Sequence, residues 1–126
     1  MSVYKFEDLK STHQNPKLSS GFAETIKGDK MYFCHRIWPT GTEAKPHFHP
    51  CEQFIYILRG RQNLILGGKE FEVGPGEVIH VPSNTVHSTK IIEEVEAVYV
   101  KDTTWSLKGV AAGDETPSSP PEDDPF

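Results

Sequence analysis

Short segments of apolar and β-branched residues alternate with polar turn residues along most of the chain. Within the segments apolar positions tend to recur every second residue, which is typical of half-buried β-strands. Glycine and proline separate them, as at Gly74-Pro75-Gly76, where a tight turn needs the backbone freedom of glycine. The chain shows no helical period and no internal repeat, so it is predicted to form an all-β sandwich or barrel. The predicted strands cover residues 21–26, 30–38, 53–58, 62–66, 70–73, 78–81, 86–92 and 95–101.

Two predicted turns decide how these strands connect. Arg59-Gly60-Arg61 is predicted to join the strands at 53–58 and 62–66 as a hairpin. The last two strands are likewise predicted to be separate, with their junction near Glu93-Glu94.

The composition divides the chain into three segments. Residues 1–20 are polar and are expected to form an edge strand or an arm on a partner subunit, and residues 21–112 form the barrel. Residues 113–126 contain four prolines and five acidic residues, too little apolar surface to offset the entropy cost of ordering. This tail is expected to be disordered, or else to pack along a neighbouring subunit through Phe126. Trp105 is expected to be a lid or interface residue.

The length and charge of the chain exclude several classes of protein. The 126 residues are enough for one domain with a core. The net charge is -5 and the basic residues form no cluster, which argues against nucleic-acid binding. No apolar run approaches the roughly 20 residues of a membrane span, and the start lacks the apolar region of a signal peptide. A cytoplasmic location is therefore expected.

The stretch between Gly41 and Gly60 carries the candidate chemistry. Side chains two or four residues apart in an extended strand point to one face, so His47, His49 and Gln53 can converge. His87 supplies a third imidazole further along the chain. Three imidazoles and one oxygen donor would hold one divalent metal such as Fe, Mn, Ni or Zn.

Two neighbours of this set are alternative ligands. Glu52 points to the opposite face unless the Pro50-Cys51 kink resets the alternation, and the thiolate of Cys51 lies between the ligand candidates. With Gln53 rather than a carboxylate as the fourth ligand, the metal keeps its full +2 charge. That charge favours anionic ligands such as a carboxylate or an enolate.

Two motifs resemble those of the cupin superfamily. They are Gly41-x5-His47-x-His49-x3-Gln53-x6-Gly60 and Pro75-Gly76-Glu77-x4-Pro82-x4-His87. The family usually has glutamate where Gln53 stands, and Ile91 occupies the position of its last asparagine. The resemblance implies a single-domain double-stranded β-helix, or jelly-roll barrel, with one metal held by His47, His49, Gln53 and His87. Small cupins commonly pair through their sheets, so a homodimer is expected.

The wall of the metal pocket can be predicted from the same alternation. Tyr99 lies on the inward face of the last predicted strand, where its phenol can act as an acid or base. Arg36 can hold a substrate carboxylate through two parallel hydrogen bonds. Either Arg36 or His35 faces inward, and the alternation leaves open which one does. His80 is expected on the outer face.

These features predict a metal-dependent enzyme, of the oxygenase or the lyase and isomerase type, that acts on a small anionic or carbonyl-containing molecule. The first alternative is a binding protein that captures a small carboxylate or sugar through its metal without turnover. The second alternative is an enzyme that opens the ring of unsaturated uronates. The motif His-x-His-Pro-x-Glu-Gln resembles that of cupins with this activity. Those enzymes are expected to carry a catalytic aspartate where this chain has Tyr99, with Asp102 three residues on. A structural barrel with a vestigial site is the last alternative.

Overall fold

The computed structural model describes residues 2–13 and 17–123, and in this part of the chain nine strands form one curled sheet. A 3-10 helix at Phe6–Asp8 precedes them. No helix within these residues is long and apolar enough to cross a membrane. The strands are β1 (Ser11–His13), β2 (Phe22–Lys27), β3 (Met31–Trp38), β4 (Glu43–Phe48), β5 (Gln53–Leu66), β6 (Lys69–Val73), β7 (Val78–Val81), β8 (His87–Asp102) and β9 (Val110–Ala111).

The longest strand, β8, organises the sheet. It pairs antiparallel with β3, β4 and β5, while β5 also pairs with β6 and β7. On the far side of β3 the sheet continues through β2 to β1. The all-β jelly-roll architecture expected from the sequence is therefore confirmed.

The predicted hairpin at Arg59-Gly60-Arg61 is wrong, and so is the predicted break near Glu93-Glu94. Each region lies inside a continuous strand, and the register of β5 against β8 shifts several times between Ile57 and Gln62. Gly60 has a φ of 87° and approaches β8 so closely that a Cβ there would lie 2.0 Å from the carbonyl oxygen of Glu94. Gly60 therefore marks an irregularity where β5 crosses β8, rather than a reversal of the chain.

The core lies between the inward faces of the two long strands. Ile55 and Ile57 of β5 pack with Val95, Ala97 and Tyr99 of β8 in one cluster of buried side chains. Ile55 pairs with Tyr99 and Ile57 with Ala97 across the two strands. The alternation that buries these side chains also points the polar residues Gln53 and Lys101 into the interior, because they continue the same faces.

Both ends of the chain contact the sheet. Strand β1 pairs with β2, so the N-terminal arm supplies an edge strand. Near the other end, the carboxylate of Asp123 accepts hydrogen bonds from the hydroxyl of Tyr32 and, at 2.7 Å, from the backbone amide of Leu107. The disorder of the tail and the homodimer stay predictions. Phe126, the suggested anchor, lies outside the described residues.

Candidate metal centre

Three histidines converge at the predicted site. His47 lies in β4, His49 follows in the connection to β5, and His87 is the first residue of β8. His47 and His87 are cross-strand partners, and one ring nitrogen from each of the three lies within 4.8 Å of the others. Because a metal binds imidazole nitrogen at about 2.0–2.1 Å, this cluster is close in size to a mononuclear site.

Backbone carbonyls orient all three rings in the same way. The Nδ1 atoms of His47, His49 and His87 lie 2.6, 2.7 and 2.8 Å from the carbonyl oxygens of Lys45, Cys51 and Thr85. A carbonyl oxygen only accepts hydrogen bonds, so each Nδ1 carries the proton and donates it. The Nε2 atom of each ring then presents a lone pair, which is the form that binds a metal.

The environment keeps these imidazoles uncharged. Burial lowers the pKa of all three rings, to about 2 for His49 and to about 3 for His87. The positive charge of Lys101 contributes to the lowering at each ring. A metal must displace protons from its ligands, so rings that are already neutral favour metal binding.

Gln53, the predicted fourth ligand, is buried beside this cluster. Its Oε1 atom lies 3.2 Å from the Nε2 atom of His49. Because Nδ1 of His49 donates to a carbonyl, both atoms of this contact present lone pairs to each other. A cation between them would satisfy both atoms, so the donor set fits a divalent metal with imidazole and oxygen ligands.

The two alternative ligands do not join this set. Glu52 is exposed, and its carboxylate lies 2.8 Å from Nε2 of His80 on the outer face, where His80 was expected. The Sγ atom of Cys51 is buried 3.4 Å from Nδ1 of His49, the nitrogen that does not face the metal site. Burial also raises the pKa of the Cys51 thiol, so it is not a ready thiolate ligand.

A cavity of about 60 Å³ adjoins the ligands. A cavity needs roughly 10–15 Å³ of accessible space to hold one water molecule, so this space suits a small molecule. The lining includes four polar side chains that are not predicted ligands and that are almost fully buried, namely Arg36, Gln62, Tyr99 and Lys101.

The structure shows which of Arg36 and His35 faces inward. Arg36 faces the cavity, where its Nη2 atom donates to Oε1 of Gln62 at 3.1 Å and its guanidinium lies 4.0 Å from the centre of the Trp38 ring. His35 points to the other side of β3, where its two ring nitrogens lie 3.2 and 2.7 Å from the carboxylates of Glu24 and Glu96. Burial lowers the pKa of Arg36 to about 10, so it stays protonated at neutral pH.

Tyr99 also faces the cavity, as predicted. Its hydroxyl is hydrogen-bonded to Cys34, and burial raises its pKa well above the usual value. The side chain is therefore a neutral phenol. Asp102, by contrast, accepts hydrogen bonds from the backbone amides of Glu52 at 2.7 Å and Thr104 at 2.9 Å, away from the lining of the cavity.

Two lining residues had no predicted chemical role, although alternation predicts that Lys101 belongs to the pocket wall. Lys101 is 7% exposed and lies directly opposite Gln53 in the sheet. Gln62 is 1% exposed and joins Arg36 to the hydroxyl of Thr89. Lys101 shares the inward face of β8 with Tyr99, so the alternation signalled its direction. Gln62 lies beyond the irregularity at Gly60, where the alternation along β5 gives no such signal.

The segment after β8 closes one side of the cavity. Leu107 and Gly109 line it, and a Cβ at Gly109 would lie 2.9 Å from Cδ2 of His47. Trp105 in the same segment is only 7% exposed and packs with Cys51 and Val110. Trp105 is thus a buried anchor of this segment, which corrects its expected assignment as a lid or interface residue.

A family model described as "Cupin domain" matches residues 34–101, more than half of the chain. The chain belongs to this family. All four predicted metal ligands lie within the matched region.

One protein sequence and two solved structures are similar to this chain. A segment of 54 residues is 35% identical to quercetin 2,3-dioxygenase of Bacillus subtilis, covering 42% of this chain and 16% of that protein. The chain thus spans less than a fifth of the dioxygenase. The polyketide cyclase RemF from Streptomyces resistomycificus superposes with a TM-score of 0.72 at 21% identity, over 91% of this chain and 87% of that one. KdgF from Halomonas gives a TM-score of 0.70 at 16% identity, over 81% and 93%. At these identities the two structures show the fold alone.

Proposed function

We propose that this protein is a mononuclear metal-dependent enzyme that acts on a small anionic or carbonyl-containing molecule. The observation that carries the proposal is the set of three imidazoles whose Nδ1 atoms are all held by backbone carbonyls, leaving three Nε2 lone pairs and the amide of Gln53 for one metal. A metal bound there would act as a Lewis acid on an oxygen of the substrate or, if redox-active, support reaction with O2.

The residues around the site define what the protein itself contributes. Arg36 is a fixed cation that can bind a substrate carboxylate. The hydroxyl of Tyr99 stays protonated, so it would donate a hydrogen bond rather than act as a base. Leu107 and Gly109 form part of the cavity wall. The small cavity favours a substrate of few heavy atoms.

Metal analysis tests this proposal first. The protein would be purified without chelator or nickel affinity resin and analysed for metals. We expect close to one equivalent of Fe, Mn, Ni or Zn per chain. Iron would lead to oxygen-uptake assays with β-dicarbonyl and catecholic compounds, whereas the other metals would lead to a screen of small carboxylates and uronates. Failure to bind any of these metals stoichiometrically would contradict the proposal.

A metal-dependent binding protein is the second candidate. The hydrogen bond between Tyr99 and Cys34 favours this candidate, because it engages the hydroxyl that an enzyme would use for proton transfer. The uronate reaction lacks a proton carrier at Asp102, since that carboxylate binds backbone amides away from the cavity. Turnover distinguishes an enzyme from a binding protein, and Tyr99→Phe tests the phenol. If the variant keeps full activity, Tyr99 has no part in proton transfer.

A further inference from the structure

Two basic side chains are buried at the cavity without a salt bridge to a carboxylate of the described residues. Arg36 is 4% exposed and Lys101 is 7% exposed. Neither forms a salt bridge with an Asp or Glu of residues 2–13 and 17–123, although the carboxylate of Asp123 attracts the ammonium of Lys101 from a longer distance. Buried charges are normally paired, since removing a charge from water without a partner is costly. This pair is therefore an exception that calls for a functional reason.

The contacts of Arg36 leave part of its guanidinium unused. It donates to Gln62 and stacks on Trp38, contacts that would suit a purely structural arginine. Its Nε atom, however, is buried and has no hydrogen-bond partner within the described residues. An arginine presents its donors in a planar fork that matches a carboxylate, and Arg36 is one of the residues that line the cavity.

Lys101 places a second basic group on the cavity wall with Arg36 and the metal ligands, although burial lowers the pKa of its ammonium. Its only hydrogen bond within the described part of the chain is a long one, 3.4 Å from Nζ to the carbonyl oxygen of Leu107. The ammonium lies 5.9 Å and the guanidinium of Arg36 lies 5.5 Å from the centre of the same ring, that of Tyr99. Lys101 is also the cross-strand neighbour of Gln53. One small molecule in the cavity would therefore meet both cations and the metal ligands.

We propose that Arg36 and Lys101 form an anion-binding subsite beside the metal ligands and that this subsite binds a carboxylate group of the substrate. The substrate class is then a small carboxylic acid with a second oxygen donor placed to reach the metal. The part of this inference that concerns the second donor rests on the proposed function. The carboxylate subsite itself rests only on the two cations and the cavity.

Calorimetric titration with malonate and its neutral analogue malonamide tests the subsite. The comparison uses zinc-loaded and chelator-treated protein, with Lys101→Met and Arg36→Met as charge-removing variants. Lys69→Met, which changes an exposed lysine in β6, is the matched control. Circular dichroism and zinc content verify that each variant is folded and loaded.

We expect wild-type protein to bind malonate at least about tenfold more tightly than malonamide. Each charge-removing variant should weaken malonate binding about 10- to 100-fold, as expected for a lost hydrogen bond to a charged group, without changing zinc content. Lys69→Met should match wild type. The preference for malonate should persist in chelator-treated protein, because neither cation is a predicted metal ligand.

The outcomes separate this inference from the proposed function. Equal malonate affinity in wild type and both variants, or no malonate binding to wild type, overturns the subsite even if zinc binds stoichiometrically. Charge-dependent malonate binding without any metal binding supports the subsite and contradicts the metal-dependent function. If Lys101→Met does not fold, Arg36→Met and Arg36→Lys decide, since only the latter keeps the charge. Equal affinity in these two variants would overturn the subsite.

Discussion

Gln53 and Lys101 lie directly opposite each other where β5 begins and β8 ends. Both are buried, and both line the cavity. Cupins usually have a glutamate where Gln53 stands, and a glutamate here would face the ammonium of Lys101 inside the barrel. Glutamine avoids that ion pair. The departure from the family pattern at one residue is therefore linked to a buried ammonium on the neighbouring strand that forms no salt bridge within the described residues.

Replacing Gln53 with glutamate is expected to neutralise Lys101. Because the new carboxylate would compete with the substrate for the ammonium, malonate affinity should fall about tenfold or more, while zinc remains bound. Calorimetry on Gln53→Glu checks this. In the double variant Gln53→Glu/Lys101→Met, the loss of malonate affinity should differ strongly from the sum of the losses in the two single variants, as for residues in contact. Unchanged malonate affinity in Gln53→Glu would contradict the coupling.

Replacing His49 with alanine is expected to remove the metal and leave the barrel folded. The ring supplies one of three converging nitrogens, and its loss should lower metal content at least about tenfold under equal loading conditions. Elemental analysis with circular dichroism measures both quantities. His80→Ala is the control, because His80 is exposed and contacts the outer-face residues Glu52 and Phe54. Equal metal content in the two variants would refute the assignment of the site.

Replacing Gly60 with alanine is expected to destabilise the fold by more than about 3 kcal/mol. The positive φ alone costs about 1–2 kcal/mol for alanine, and the added Cβ would meet the backbone of Glu94 at 2.0 Å. Gly68→Ala is a matched control, since Gly68 has a φ of 81° but no atom within 4 Å of the added Cβ. Urea unfolding compares the two. Similar losses of stability in the two variants would show that the close approach of Gly60 to Glu94 adds nothing to the cost of the positive φ.

The outer-face pair of His35 and Glu96 predicts a dependence of stability on pH. The hydrogen bond from His35 lowers the pKa of Glu96 below its usual value of 4.5. A lowered folded-state pKa gives stability that is present above the unfolded-state pKa and is lost as pH falls through the folded-state value. The destabilisation caused by Glu96→Gln should therefore be largest near neutral pH and shrink below about pH 4.5.

Unfolding in urea between pH 7 and pH 3 measures this dependence. Glu115→Gln in the exposed tail is the control and should differ little from wild type over the whole range. A difference between wild type and Glu96→Gln that stays constant down to pH 3 would contradict the role of this pair.

The hydrogen bonds of Asp123 predict that the tail steadies the segment over the cavity. Asp123→Asn removes the charged acceptor of the Leu107 amide, so this amide should exchange with solvent at least about tenfold faster. Hydrogen exchange followed by mass spectrometry or NMR measures the rate. Asp114→Asn, at the start of the exposed tail, is the control. Equal exchange at Leu107 in both variants would show that the tail does not hold the segment.

The sequence by itself determined the fold class and the imidazole cluster. Both depend on information that is local in the chain: the alternation along each strand, the turn residues, and the spacing of His47, His49 and Gln53. His87 was found through the second motif, and its position opposite His47 confirms that the two motifs meet. The outward direction of His80 followed from alternation in the same way.

Only the tertiary structure decided the connection at Gly60, the direction of Arg36 and the surroundings of Lys101. A glycine between two charged residues indicates a turn when only its own segment is considered. The strand that it crosses shows that the chain continues straight through. Alternation gives relative directions along β3, but the absolute direction depends on the strands packed against it. Whether a buried cation has a partner depends on every element around the cavity. These properties arise from contacts between distant segments, which the pattern along one segment does not contain.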